Sequence, residues 1–351
     1  HAIGMAFVAT LRNRGHGVTV AVGRDGRLSS PALAAALIDG LVKAGGRVLD
    51  IGCGPTPMLY FAGVTLKCDG AIQVTGSHNP PTHNGFKMVM NGRSFFGKDI
   101  QQLGAISAAG VTPGVDGSVT QTAVFGSYVD RLLQHTDAGD LSVVWDCGNG
   151  AAGPTLDALN KKLIKLGLKT NFVFLHHDPD PTFPNGIPNP LLEENRSSTT
   201  DTVINEKADL GVAFDGDFDR CFFFDHLGNF IPGEYLVGLL AEVFLNKEKG
   251  ATIIHDPRVV WNTIDVIGKS GGKAVASKTG HAFVKAAMRT SDAIYGGEMS
   301  AHHYFRDFAY CDSGIIPWLL VWEYLSVSNL SLSAVISEQR SRFPSSGELN
   351  F

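Results

Sequence analysis

Three carboxylates at alternate positions, Asp215, Asp217 and Asp219, follow the apolar run Leu210-Gly211-Val212-Ala213-Phe214 and precede Arg220. A loop at a strand end can turn all three on one point, where their mutual repulsion calls for a cation. An all-oxygen set selects a hard ion, Mg²⁺ ahead of Mn²⁺ or Ca²⁺. It is not an EF-hand, because the twelfth position counted from Asp215 is His226 rather than an acid. Arg220 is placed to neutralise a phosphate held at such an ion. The second chemical stretch is Val74-Thr75-Gly76-Ser77-His78-Asn79-Pro80-Pro81-Thr82-His83-Asn84-Gly85-Phe86-Lys87, read as neither helix nor strand after the buried strand Ala71–Val74. Ser77 stands at a strand end, where open α/β sheets keep their active sites. Its neighbours lack the G-x-S-x-G elbow, which argues against acyl transfer. Next to a Mg²⁺-type triplet, a loop serine points to phosphoryl transfer, in which metal and cationic side chains offset the charge of the moving group. Lys87 can shuttle a proton there if neighbouring cations depress its pKa.

A third group is weaker. Glu298 and Ser300 flank Met299 after Gly296-Gly297, a tight loop suited to hydrogen-bonding a sugar. The pair His302-His303 reads as one exposed and one satisfied histidine rather than a metal site. Lys278-Thr279-Gly280-His281 at a strand end can bind an anion.

The elements that must position these groups alternate along the chain. Residues 17–23 alternate like a strand; Ser29 or Ser30 can cap a helix over 32–44 with Pro31 at its start, and 47–52 is the next strand. After a Pro- and Gly-rich stretch at 112–117, a short helix at 128–134 and a strand at 141–146 open a second unit. Gly148-Asn149-Gly150-Ala151-Ala152-Gly153 then matches G-x-G-x-x-G between strand and helix. The following strand, 171–175, ends in His176-His177-Asp178 rather than an isolated ribose-binding acid, so a tight packing turn is favoured over a nucleotide site. A proline-rich loop covers 178–190, a helix runs from 195 towards 208, and strands are expected at 210–214 and 221–224. A third unit follows: helix 232–244, strand 251–254, a helix after Asn262, strand 273–277, a helix to Arg289, strand 293–295 and a last helix over 313–326. This repeated alternation implies several similar α/β domains rather than one long sheet.

The totals agree with a turn-rich globular chain: 351 residues, 44% hydrophobic, 18% charged, 41 glycines. Lys+Arg 29 against Asp+Glu 34 gives a net charge of −5, which disfavours nucleic acid or an anionic membrane as main partner. The cysteines Cys53, Cys68, Cys147, Cys221 and Cys311 are scattered, odd in number and never in a C-x-x-C pair, as expected of a reducing cytoplasm without a disulfide framework or zinc site. No apolar run reaches bilayer-spanning length. Oligomeric state is not written in the sequence.

Taken together, the motifs resemble those of the α-D-phosphohexomutases, in particular the bacterial phosphomannomutase/phosphoglucomutase group. They are TGSHNP at 75–80 with NGFK at 84–87, DGDFDR at 215–220, KTGH at 278–281 and GEMS at 297–300, in family order across nearly the whole chain. The resemblance implies three mixed α/β domains around a central cleft, here 1–125, 126–230 and 231–340, with 341–351 as the start of a phosphate-clamping fourth domain that the sequence does not contain. It also leads one to expect an arginine-bearing strand before Gly4, equally absent. A chain of these residues alone would then transfer phosphate slowly or release free bisphosphate.

By the same resemblance Ser77 is the phosphoserine, His78 stands beside it and Lys87 is the general acid/base. Mg²⁺ is held by Asp215, Asp217, Asp219 and a phosphate oxygen on Ser77, and Arg220 contacts that phosphate. Glu298, Ser300 and His302 grip sugar hydroxyls, while Lys278, His281, Arg258 and Arg24 help with substrate. The implied reaction interconverts hexose 1-phosphate and 6-phosphate through glucose 1,6-bisphosphate or mannose 1,6-bisphosphate. Met299 matches enzymes that accept glucose and mannose; a phosphoglucosamine mutase, expected to carry glutamine there, and a non-catalytic sugar-phosphate binder are the alternatives. Phe218 and Ala301 stand where the family usually has glycine.

Overall fold

The computed structural model describes residues 1–134, 139–168 and 171–345. The first unit contains α1 (Ala2–Asn13), β1 (Thr19–Arg24), α2 (Ser30–Lys43), β2 (Arg47–Cys53), α3 (Thr56–Thr65), β3 (Gly70–Val74), β4 (Phe86–Met90), β5 (Arg93–Ser94), α4 (Lys98–Ala109) and β6 (Ser118–Gln121). The second contains α5 (Phe125–Leu132), β7 (Ser142–Asp146), α6 (Ala152–Lys165), β8 (Asn171–Leu175), α7 (Ser197–Asn205), β9 (Leu210–Phe214) and β10 (Cys221–Asp225). The third contains α8 (Gly233–Lys247), β11 (Thr252–His255), α9 (Trp261–Lys269), β12 (Lys273–Ala276), α10 (His281–Ser291), β13 (Tyr295–Gly297), β14 (His303–Phe305), β15 (Cys311–Asp312), α11 (Ile315–Ser328) and α12 (Leu332–Arg342).

The three mixed sheets share one plan. Their orders are β5-β4-β3-β1-β2-β6, β10-β9-β7-β8 and β12-β11-β13-β14-β15. In each, three parallel strands linked by helices are followed by an antiparallel one: β3 with β4, β9 with β10, β13 with β14. Parallel strands are covered on both faces, and β3 and β9 are buried at every position, which is why they read as nearly continuous apolar runs. The turn of each antiparallel pair becomes a loop at the C-terminal end of the last parallel strand: 75–85, 215–220 and 298–302. These are the three motif stretches.

One core runs through the second and third units and reaches α3 of the first. Its centre is aromatic: Trp145 of β7 stacks on Phe172 with centroids 4.0 Å apart and meets Trp318 of α11 at 4.9 Å, which meets Trp322 at 5.0 Å. Such pairs add to their area burial. Wedged between units, α11 is apolar nearly all round. Among the described residues no single helix is long and apolar enough to cross a membrane; α11 and α12 together pass on length and composition but are bent by 95°.

Several expectations are corrected. Phe86 and Lys87 are not loop but the start of β4, paired with Val74 and Gln73. Neither Ser29 nor Ser30 caps α2 through its side chain; the Ser30 hydroxyl donates to Asp25 instead. The strand expected at 293–295 is shifted to Tyr295–Gly297, and α1, α3, α4 and α12 were not anticipated. A boundary at 125/126 would cut the first residue from α5 and one at 340/341 would cut α12, so we place the limits at 124/125, at 230/231 and at the end of α12, Arg342. Residues 346–351 of the expected fourth segment lie outside the described residues.

Candidate active site

The loop 75–85 enters from β3 and is turned by its own polar groups. Thr75 N–H donates to Gly85 O at 3.0 Å and Ser77 N–H to Thr75 Oγ1 at 2.9 Å. Ser77 adopts φ +48°, a left-handed conformation uncommon outside glycine, and its hydroxyl lies 2.9 Å from Asp215 Oδ2 and 3.1 Å from His78 Nδ1. The carboxylate loop closes on itself: Phe218 N–H donates to Asp215 O at 3.1 Å and Arg220 N–H to Asp215 Oδ1 at 3.1 Å. Phe218, at φ +66°, is fully buried with its ring 4.6 Å from that of Phe214. The two loops touch through main chain, since a Cβ on Gly216 would stand 2.3 Å from Ser77 O.

Asp215, Asp217 and Asp219 are buried, with ligand oxygens within 4.8 Å of one another. Arg220 donates Nε and Nη2 to Asp215 Oδ2, both at 3.2 Å, so its guanidinium is committed to a carboxylate. Lys87 reaches in from β4 to Asp217 Oδ2 at 2.6 Å and to Asp219 Oδ2.

The third unit closes the site. His302 bridges by main chain to Arg220, and its Nδ1 lies 3.1 Å from Asp312 Oδ2 and 3.9 Å from Asp219 Oδ1. Glu298, 1% exposed, accepts from Tyr304 Oη at 2.5 Å and from Gly280 N–H at 2.6 Å. Ser300 is half-buried in the same turn, whereas Lys278 and His281 are exposed. Arg258 holds Asp256 at 2.6 Å, and Asp256 also accepts the Met299 N–H at 3.0 Å. Arg24 ends β1 opposite Val74 and Cys53. The turn at 148–153 supports the carboxylate loop, Ala151 N–H donating to Gly216 O at 3.1 Å.

The family models described as phosphoglucomutase/phosphomannomutase alpha/beta/alpha domains I, II and III match residues 1–110, 126–228 and 232–343. A phosphomannomutase of Escherichia coli is 52% identical over 341 residues, 94% of this chain and 75% of the relative. The chain belongs to the phosphoglucomutase/phosphomannomutase family. A Salmonella typhimurium phosphomannomutase is likewise 52% identical, over 99% of this chain and 77% of the relative. The crystal structure of a Burkholderia thailandensis protein of this family aligns with TM-score 0.89 at 37% identity, over 96% of this chain and 74% of that one.

The electrostatics follow from crowding acids in a dry place. Burial, then the charge of Asp219, pushes Asp215 up to about 7. Burial acts the same way on Asp217, but the Lys87 ammonium and hydrogen bonds outweigh it and hold that carboxyl well below its usual range. A proton shuttle at Lys87 was made conditional on neighbouring cations; its neighbours are carboxylates, which overcome the effect of burial and raise it. His78 is lowered to about 4, by burial and then by Arg220. Burial opposes a charge on His302, but Asp219 and Asp312 raise it. The donor set fits a hard divalent cation: all ligands are oxygens, and Asp217 Oδ1 and Asp219 Oδ1 are buried without a hydrogen-bond donor.

Four contributors carried no motif. Thr56, at the start of α3, donates its N–H to Asp217 O at 3.0 Å and its hydroxyl to Asp217 Oδ2 at 2.5 Å. Lys285 and Asp312, 2% and 1% exposed, pair at 2.6 Å behind His302, with the ammonium 4.2 Å from the Tyr60 ring. Asp25 accepts the Gly76 N–H at 3.0 Å. Only the Pro55-Thr56-Pro57 and Arg24-Asp25-Gly26-Arg27 turns marked two of these places in advance.

Proposed function

We propose that the enzyme is a phosphohexomutase that interconverts hexose 1-phosphate and hexose 6-phosphate, of glucose, mannose or both, with Ser77 as the phosphoryl carrier. The observation that carries this reading is the Ser77 hydroxyl 2.9 Å from Asp215, at the edge of three buried carboxylates. Kinship with phosphomannomutases at 52% identity supports it. Phosphorylated Ser77 gives its phosphoryl group to a sugar hydroxyl: the bond from phosphorus to Oγ breaks, a bond to the sugar oxygen forms, and the proton of the sugar hydroxyl ends on Ser77 Oγ. The resulting 1,6-bisphosphate turns round and its other phosphate returns to Ser77, whose hydroxyl proton has an acceptor at 3.1 Å in His78 Nδ1, kept neutral near pH 7 by its lowered pKa. Mg²⁺ held by Asp215, Asp217, Asp219 and a Ser77 phosphate oxygen would offset charge on the moving group. Lys87, held protonated, serves the same centre as a donor. Arg220 steadies Asp215 and faces the phosphate. Glu298, Ser300 and His302 select sugar hydroxyls, and Lys278, His281, Arg258 and Arg24 help to hold the substrate. With all five cysteines free, the cytoplasm is the proposed compartment.

Intact mass spectrometry tests the carrier: one phosphate on the protein, lost on incubation with hexose 6-phosphate and absent in Ser77→Ala, is expected. Assays with glucose, mannose and glucosamine phosphates test the substrate. A Ser77→Ala variant as active as the parent, or turnover confined to the amino sugar, would replace this reading.

A further inference from the structure

The reacting serine sits in a left-handed conformation whose support comes both from the loop, by Ser77 N–H on Thr75 Oγ1 and Asn79 N–H on Gly76 O, and from outside it. A left-handed L-residue is disfavoured by contact of its Cβ with the backbone, and such geometry persists only where surroundings over-determine it. Around Ser77 those surroundings converge on one side chain from another turn. Arg27, 2% exposed, donates Nη2 to Ser77 O and Asn79 O, each at 2.7 Å, and Nη1 to Pro80 O at 2.7 Å and His83 O at 3.1 Å. Its Nε lies 3.4 Å from Asp25 Oδ2, which also accepts the Gly76 N–H. Its outer face lies over Phe183, from the proline-rich loop of the second unit, 5.2 Å from the ring centroid.

We propose that Arg27 is a positioning residue for the phosphoryl-transfer step, clamping the carbonyls on both sides of the loop's bend so that Ser77 Oγ is held towards Asp215. This rests on the assignment of Ser77 as carrier. Only a planar fork with several fixed donors spans four carbonyls at once; an ammonium cannot. The same clamp explains a motif residue. A Cβ on Gly76 would stand 2.4 Å from Arg27 Cζ and Nε and 2.7 Å from Nη1, so the glycine of TGS is there to let the guanidinium lie flat against the main chain. Gly76 itself is not among the positive-φ positions, so its backbone accepts alanine.

The test compares the parent with Arg27→Lys, Arg27→Ala, Gly76→Ala and the double variant Arg27→Ala/Gly76→Ala, measuring kcat, KM, thermal midpoint and the rate at which a hexose 1,6-bisphosphate phosphorylates Ser77. Displacement of a reacting group by about an ångström costs on the order of a hundredfold. Arg27→Lys and Gly76→Ala are expected to lose roughly ten- to a hundredfold in kcat and in Ser77 phosphorylation, with KM within about twofold. Gly76→Ala should cost little more once Arg27 is alanine, because it acts through the guanidinium. Should the Arg27 variants not fold, Gly76→Ala, which deletes no hydrogen bond, carries the test. Unchanged kcat in folded Arg27→Lys or Gly76→Ala, or full additivity in the double variant, overturns the proposal. A parent enzyme whose Ser77 never takes phosphate overturns the carrier assignment, and this proposal with it.

Discussion

The loops 75–85 and 215–220 occupy the same place in two copies of one plan, each after the last parallel strand, and each bends through a left-handed residue that is not glycine, Ser77 at φ +48° and Phe218 at +66°. They are stabilised differently. The short carboxylate loop is closed by Phe218 and Arg220 N–H on Asp215 and pinned by its own buried ring, and its outside bonds are spread over the N–H groups of Thr56, Ala151 and Gly314 at the starts of α3, α6 and α11. The longer serine loop has bonds of its own at Thr75 and Ser77, but its outside support converges on the turn after β1, through Arg27 and Asp25. Distributed support spreads the consequences of any one mutation. Support through one side chain exposes the chemistry to a change some fifty positions away in sequence.

The largest effect that would test this contrast is in Asp217→Asn. The amide oxygen can still accept from Thr56 and Lys87, which reach Asp217 Oδ2 at 2.5 and 2.6 Å, so the loop should keep its shape while losing a charge. A drop of on the order of 10²–10³ in kcat is expected with the thermal midpoint nearly unmoved; a midpoint that collapses would show that this loop depends on the Asp217 charge beside Lys87 rather than on its spread of main-chain bonds.

Next in size is an acid effect below the third loop, at the first residue of β14. Burial, then neighbouring His302, lowers His303 to about 3 from 6.5, while its Nδ1 lies 2.7 Å from Tyr295 Oη. The unfolded chain therefore takes up this proton first as pH falls. Stability is full above about 6.5 and declines below it by about 1.4 kcal/mol per pH unit, or about 2 kcal/mol by pH 5. Denaturant titrations at pH 7 and 5 would read this, and His303→Gln should flatten the difference; an unchanged slope would mean the residue is not held neutral.

The smallest effect is an inversion of order. Phe218→Ala and Phe218→Gly both vacate the same buried space, at about 3–5 kcal/mol, but glycine alone relieves the left-handed backbone, about 1 kcal/mol. Calorimetry should find the glycine variant the more stable of the two by about that amount. If alanine is the better substitute, backbone strain at Phe218 is not a feature of this loop.

Much of this was legible because catalytic groups recur at strand ends and strands announce themselves by unbroken apolar runs. Ser77, the aspartate triplet and the 278–281 and 297–300 stretches were found that way, and the structure gathers the triplet, Ser77, His78, Lys87, Arg220, Glu298 and His302 at one place. Lys285 and Asp312 were not legible, since a single polar residue in a helix or strand looks like any other until distant contacts place it, and at Thr56 only the flanking prolines marked a turn. The charge environment of Lys87 was not legible for the same reason: it comes from residues about 130 positions away. The helices α1 and α12 escaped because Gly4 and the serines of α12 dilute the apolar spacing that marks a helix.

Glu298 has both oxygens engaged before any sugar arrives, one by Tyr304 and one by the Gly280 N–H. In the proposed role, a sugar hydroxyl is received at the lone pairs these two bonds leave, since an ionised carboxylate has about four acceptor sites. The internal donors fix the direction of those sites before the ligand arrives, so the carboxylate need not reorganise. A preset acceptor of this kind contributes on the order of 1–3 kcal/mol. That orients a ligand without trapping it, which suits an intermediate that must be released and taken up again end for end.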